Sequence, residues 1–105
     1  DQIMSPTATA FIARAILAFL AREGAPGVYH CVNSGRASWA EFARAIVARC
    51  GIAAPVEGCA STDWPTPARR PRFSALANDK LAALIGPIEP WETALDGYLS
   101  AKGRL

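Results

Sequence analysis

Val28-Tyr29-His30-Cys31-Val32, closed by Asn33-Ser34-Gly35, is followed by Ser38-Trp39-Ala40-Glu41 and, past Gly51, by Pro55-Val56-Glu57-Gly58-Cys59. The first run is short, rich in β-branched and aromatic side chains, and ends in turn-forming residues, which predicts a buried strand over 28–32. Ser38 and Glu41 have capping-box spacing: the hydroxyl accepts from the Glu41 amide and the carboxylate reaches back to the Ser38 amide. The helix this predicts, 39–50, carries Trp39, Phe42, Ala43, Ile46, Val47 and Cys50 on one stripe and stops at Gly51. A second short run, 55–59, completes a β-α-β unit. Crossovers of this length join parallel strands with a right-handed turn, so strands 28–32 and 55–59 are expected side by side in a small parallel sheet.

Working outward, Phe11, Ile12, Ala15, Ile16, Phe19 and Leu20 recur at helical spacing and predict a helix over about 8–23, with Gly24 free to take the left-handed conformation that ends it. Residues 61–73 contain Pro65, Pro67 and Pro71, which supply no ladder amides and break helices, so an extended loop is expected. Asn78 is placed to cap a short helix through Leu81, Leu84 and Ile85. Pro90 can start a last helix with Trp91, Ala94, Leu95, Tyr98 and Leu99 on one face. The expected architecture is α/β: a small parallel sheet with a β-α-β unit and about four helices, in one unit spanning 1–105.

The chain has 105 residues, half of them hydrophobic (51%) and 19% charged, a globular balance that suits one compact unit. Eleven basic and nine acidic residues give a net charge of +2 and are scattered, so no broad basic face is offered to nucleic acid. The apolar stretch from Ala8 to Ala21 is interrupted by Arg14 and is too short to span a bilayer. No signal peptide is recognisable at the start. Cys31, Cys50 and Cys59 match neither a disulfide framework nor a metal-binding spacing, which favours a reducing cytoplasm. A start on Asp1 in place of Met leads us to expect a piece of a longer protein.

Several residues invite chemistry and have plainer explanations. Tyr98 and Lys102 fit a Tyr-x-x-x-Lys pair, but no glycine-rich strand-turn-helix accompanies them, and Tyr98 belongs to an apolar stripe. Asn33-Ser34-Gly35 holds one glycine where a dinucleotide fingerprint needs three, so it reads as a connector. His30 lacks a spaced metal-ligating partner and reads as a hydrogen-bonded core histidine. Ser38 has no nucleophile-elbow context and is explained by its cap. Glu57, Asp63, Glu89, Glu92 and Asp96 stay unassigned. No residue qualifies as catalytic, cofactor-binding or metal-ligating.

The informative segment is Pro67-Ala68-Arg69-Arg70-Pro71-Arg72. Prolines stiffen a short loop of guanidinium groups, whose forked donors match phosphate oxygens. Two readings stand at this point: a clamp on a pyrophosphate, or arginines that lie in solvent or cap helix ends.

Taken together, Asp1-Gln2-Ile3-Met4-Ser5-Pro6-Thr7, Gly27-Val28-Tyr29-His30, Ser38-Trp39-Ala40-Glu41-Phe42-Ala43, and Pro67-Ala68-Arg69-Arg70-Pro71 through Ser74, Leu76, Lys80 and Leu81 resemble the dTDP-4-dehydrorhamnose reductase family, an extended branch of the short-chain dehydrogenases. The resemblance covers nearly the whole chain but only the later, carboxy-terminal substrate-binding segments of that family. It implies a parent whose amino-terminal Rossmann domain, absent here, binds NADPH and carries the catalytic residues, and which forms dTDP-L-rhamnose by reducing a 4-keto sugar. The present chain would then contact the dTDP-sugar substrate and the missing Rossmann domain, bind no cofactor itself and be inactive alone, with Arg69 or Arg70 meeting the substrate diphosphate. Removal of that domain would leave an apolar patch exposed. The same resemblance admits a non-catalytic regulatory protein, similar to the regulatory subunit of methionine adenosyltransferase. A nucleic-acid module built on Arg69, Arg70 and Arg72 is a poorer fit, because three local arginines release few counterions. One departure is Met4 where the family usually has glycine; a positive φ there would strain the turn.

Overall fold

In a computed structural model that describes residues 1–105, the chain forms β1 (Ile3–Met4), α1 (Thr9–Ala21), β2 (Ala37–Ser38), α2 (Trp39–Arg49), a single 3-10 turn (Ser61–Asp63), α3 (Asp79–Ile85) and α4 (Trp91–Ala101). The four helices fall where apolar periodicity places them. At α2 the capping box is complete: the Ser38 amide donates to Glu41 Oε2 at 2.7 Å and the Glu41 amide to Ser38 Oγ at 3.1 Å. The bond from the Ser38 backbone, then that from its side chain, holds the Glu41 carboxyl below the ordinary carboxylate range.

Strand pairing departs from expectation. The sheet is a two-stranded antiparallel one, with Ile3 opposite Ser38 and Met4 opposite Ala37. Residues 28–32 and 55–59 form no strands and do not pair as a β-α-β unit. The backbone of the first run is met by side chains: Lys80 Nζ donates to Val28 O at 3.0 Å and Asn78 Nδ2 to Val32 O at 2.9 Å. The second run folds back on α2, where Arg44 Nε donates to Val56 O at 3.1 Å and a Cβ on Gly58 would lie 4.0 Å from that of Ala40. Side chains thus occupy carbonyls of both runs that a ladder between them would use. Parallel pairing occurs elsewhere, as isolated bridges joining Ile3 to Phe73 and Ser34 to Pro90.

Three local mechanisms also differ from the sequence reading. The left-handed residue after α1 is Glu23, at φ 48°, rather than Gly24; a Cβ on Gly24 would stand 2.6 Å from Leu84 Cδ2, so that glycine permits close packing of α1 on α3. Asn78 occupies the position before α3 without capping it, because its amide is committed to Val32 and Ser34. Met4 sits in β1 with no positive φ, so it strains nothing.

The core is divided. Ala37, Trp91, Leu95 and Leu99 form one buried cluster with Phe42 and Ile46 against it. Phe42 meets Trp91 edge-on, with ring centroids 5.7 Å apart. Phe11, Ala15 and Leu81 form a second cluster under α1 and α3. Asn33, 1% exposed, joins them: Oδ1 accepts from the Ala8 amide at the start of α1, and Nδ2 donates to Glu89 O ahead of α4. The radius of gyration is 15.8 Å, against about 13 Å for a compact globule of this length. Consistent with that openness, Ile16, Leu17 and Leu20 of α1, together with Val28, are exposed.

Candidate functional site

The proline-arginine loop forms the wall of two adjoining clefts. One, of about 630 Å³, is lined by Arg69, Arg70 and Arg72. The other, of about 860 Å³, lies between the start of α2 and the 56–66 segment and is lined by Trp39, Val56, Trp64 and Arg70 among others. Arg70 and Trp64 border both, whereas Arg69 borders only the first. The structure therefore keeps the two predicted arginines together on one cleft and places Arg70 at the junction.

These guanidiniums are uncommitted. The two salt bridges of the chain are Arg14 with Glu89 and Arg49 with Asp96, both away from the loop. Asp1, the one carboxylate on the arginine cleft, accepts from Ser61, whose amide lies 3.2 Å from Asp1 Oδ1. Three arginines against one engaged carboxylate make that cleft electropositive and suited to a dianion. The loop is also tied at both ends. Gln2 Nε2 donates to Ser61 Oγ at 3.0 Å, and β1 receives Arg72, with the Ile3 amide donating to Arg72 O at 2.8 Å.

Other candidates resolve as structural. Tyr98 lines a separate groove of about 370 Å³ that shares no residue with the arginine clefts, and Lys102 Nζ lies 5.8 Å above its ring rather than at its hydroxyl. His30 is exposed, not a core residue, and Nδ1 lies 3.1 Å from Ala77 O. Burial raises the pKa of the Cys31 thiol. No three His, Cys, Asp or Glu side chains gather to hold a metal ion, and no helix is long and apolar enough to cross a membrane. The Asn33-Ser34-Gly35 turn does not fit a dinucleotide phosphate. Its Ser34 amide donates to Glu89 O at 3.1 Å, and a Cβ on Gly35 would stand 3.1 Å from Trp91 Cδ1, so the turn faces the core.

Sequence reading missed Trp64. A single aromatic in a proline-rich loop has no periodic pattern to mark it, yet it is 76% exposed and held in place by the preceding turn. It missed Asn33 as well, whose burial depends on segments distant in sequence.

An α/β unit with helices on a minimal sheet and an open, arginine-walled double cleft has the form of a substrate-binding domain, and the chain belongs to the family described as the RmlD substrate binding domain, which it matches over residues 1–103. Among individual proteins, it is 41% identical over 104 residues to the dTDP-4-dehydrorhamnose reductase of Mycobacterium tuberculosis, covering 96% of this chain and 34% of that protein. It is 35% identical over 103 residues to the spore coat polysaccharide biosynthesis protein SpsK of Bacillus subtilis, covering 97% of this chain and 35% of that one. A crystal structure of a dTDP-4-dehydrorhamnose reductase from Clostridium acetobutylicum superposes with a TM-score of 0.91 at 32% identity, over 98% of this chain and 37% of that one. The chain thus spans about a third of the length of these relatives.

Proposed function

We propose that this chain is the sugar-nucleotide-binding part of an oxidoreductase that converts dTDP-4-dehydrorhamnose to dTDP-L-rhamnose, with Arg70, assisted by Arg69, holding the substrate diphosphate. The observation that carries this reading is the unpaired arginine cleft in a domain of this family. A forked guanidinium offers two parallel donors to phosphate oxygens, and the prolines on either side limit the ordering needed on binding. Relatives named as dTDP-4-dehydrorhamnose reductases supply the substrate class. On this reading NADPH and the catalytic residues belong to sequence outside these 105 residues, and this chain's part is to bind and orient the nucleotide end of the sugar. A cytoplasmic setting, where such nucleotides are made, fits it.

The test is an NMR titration of the chain with dTDP-L-rhamnose, following backbone amides and arginine side chains, with inorganic phosphate as the control for charge alone. Saturable shifts at Arg69 or Arg70 that phosphate does not reproduce are expected. Their absence would withdraw the site. The 105-residue chain is expected to show no turnover with NADPH, and measurable reduction by it would overturn the division of labour.

A further inference from the structure

The wide cleft contains an aromatic side chain that packing does not account for. Trp64 leaves 76% of its surface in water, although burying an indole is among the larger gains a small core can make. It is nonetheless held. The 3-10 turn Ser61–Asp63 before it is closed by Asp63 Oδ2 accepting from the Ala60 amide at 3.1 Å and by the Trp64 amide donating to Ser61 O at 3.3 Å. Asp1 and Gln2 tie the same turn to the start of β1 through Ser61. Pro65 disfavours helical backbone at Trp64, which is observed at φ −132° and ψ 76°. Trp39, 55% exposed at the first position of α2, lines the same cleft.

Charge assigns a direction to the double cleft. The arginine side has Arg69, Arg70 and Arg72 against one engaged carboxylate; the wide side carries Glu57 and Asp63 as well, and has the indoles with Ala43 and Val56. A phosphate is favoured on the first and disfavoured on the second, while a flat, neutral ring suits the second. Trp64 and Arg70 border both.

We propose that Trp64 is the platform on which the nucleobase of a nucleoside diphosphate stacks in the wide cleft, while Arg70 holds the diphosphate in the arginine cleft. The proposal rests on the sugar-nucleotide reading above and adds to it the subsite and orientation of the base. Stacking on an aromatic side chain is sensitive to the loss of the ring and tolerant of a smaller ring.

Calorimetric titration of the chain and its Trp64→Ala, Trp64→Phe and Arg70→Ala variants with dTDP, dTDP-L-rhamnose and inorganic pyrophosphate tests it. Trp64→Ala is expected to weaken dTDP about tenfold while leaving pyrophosphate unchanged, Trp64→Phe to recover most of the loss, and Arg70→Ala to weaken all three ligands. Because Trp64 is exposed, its replacement leaves both core clusters intact. Unchanged dTDP binding by Trp64→Ala overturns the stacking proposal alone when Arg70→Ala still weakens dTDP. Loss confined to dTDP-L-rhamnose would place the sugar, not the base, on Trp64 and overturns it too. Failure of the unsubstituted chain to bind dTDP would overturn the sugar-nucleotide reading together with this one.

Discussion

Replacing Asn33 with alanine should cost this fold about 3 kcal/mol. The side chain is 1% exposed and makes two bonds that join distant segments: Oδ1 accepts from the Ala8 amide at 2.9 Å, and Nδ2 donates to Glu89 O at 3.2 Å. Glu89 O also receives the Ser34 amide at 3.1 Å, so it keeps a partner when Nδ2 is lost. The Ala8 amide has no such substitute, and stranding this part-buried donor costs about 1–3 kcal/mol. A second lost bond adds about 1 kcal/mol, before any cavity cost. Domains of this size are stable by roughly 5–15 kcal/mol, and with only ten residues buried this one belongs near the lower end. Urea unfolding followed by circular dichroism measures the loss directly. With a slope of roughly 2 kcal/mol per molar, the midpoint should fall by about 1.5 M. Asn33→Asp sharpens the test: it keeps the acceptor for Ala8 but turns an oxygen toward Glu89 O, so it should lose at least as much despite its matched shape. A midpoint within about 0.5 M of the unsubstituted chain for both variants would refute the view that Asn33 joins the two clusters.

Two further predictions concern local structure. Gly35 has φ 90° and its missing Cβ faces Trp91 Cδ1 at 3.1 Å, so Gly35→Ala combines backbone strain with displacement of a core indole and should lower stability by about 2 kcal/mol in the same urea assay. Glu41 has its pKa lowered in the folded chain by its bonds to Ser38. Its contribution is therefore present above the ordinary carboxylate range and is lost as pH falls through the folded value, so the stability gap between the chain and Glu41→Ala should narrow on going from neutral pH to about pH 3. A gap that stays constant would show that the carboxylate charge does not matter to the cap.

What was legible in the sequence was what is encoded locally. Helix α2 follows from a stripe of apolar residues and a capping box whose parts lie three residues apart, and both bonds of that box are present. The loop from 61 to 73 follows from prolines that no strand or helix interior accommodates. Strand pairing was not legible. The composition of Val28 to Val32 favours extended backbone, but a strand exists only when another backbone lies beside it, and none pairs with this run. Here Lys80 and Asn78 side chains occupy those carbonyls, and neither can be linked to 28–32 by spacing. The same holds for the site. Arg69 and Arg70 stand out as charge between prolines, whereas the junction that Arg70 shares with Trp64 depends on residues 1–3, which tie the loop in place.

That tie would let an irregular loop serve as the binding surface proposed for it. Its start is fastened through Ser61 to Asp1 and Gln2, and its end through Arg72 and Ser74 to Ile3, whose amide and carbonyl each make a bond of 2.8 Å. Ile3 is also the residue that pairs with Ser38, the cap of α2. One short strand therefore sets the distance between the arginine loop and the α2 wall that carries Trp39. A loop held at both ends and stiffened by three prolines would lose little further entropy if a ligand ordered its arginines, so more of each charge-assisted bond would be retained as affinity. The smallness of the sheet is no obstacle to that role, since two residue pairs and two flanking bonds suffice to fix where the cleft walls stand.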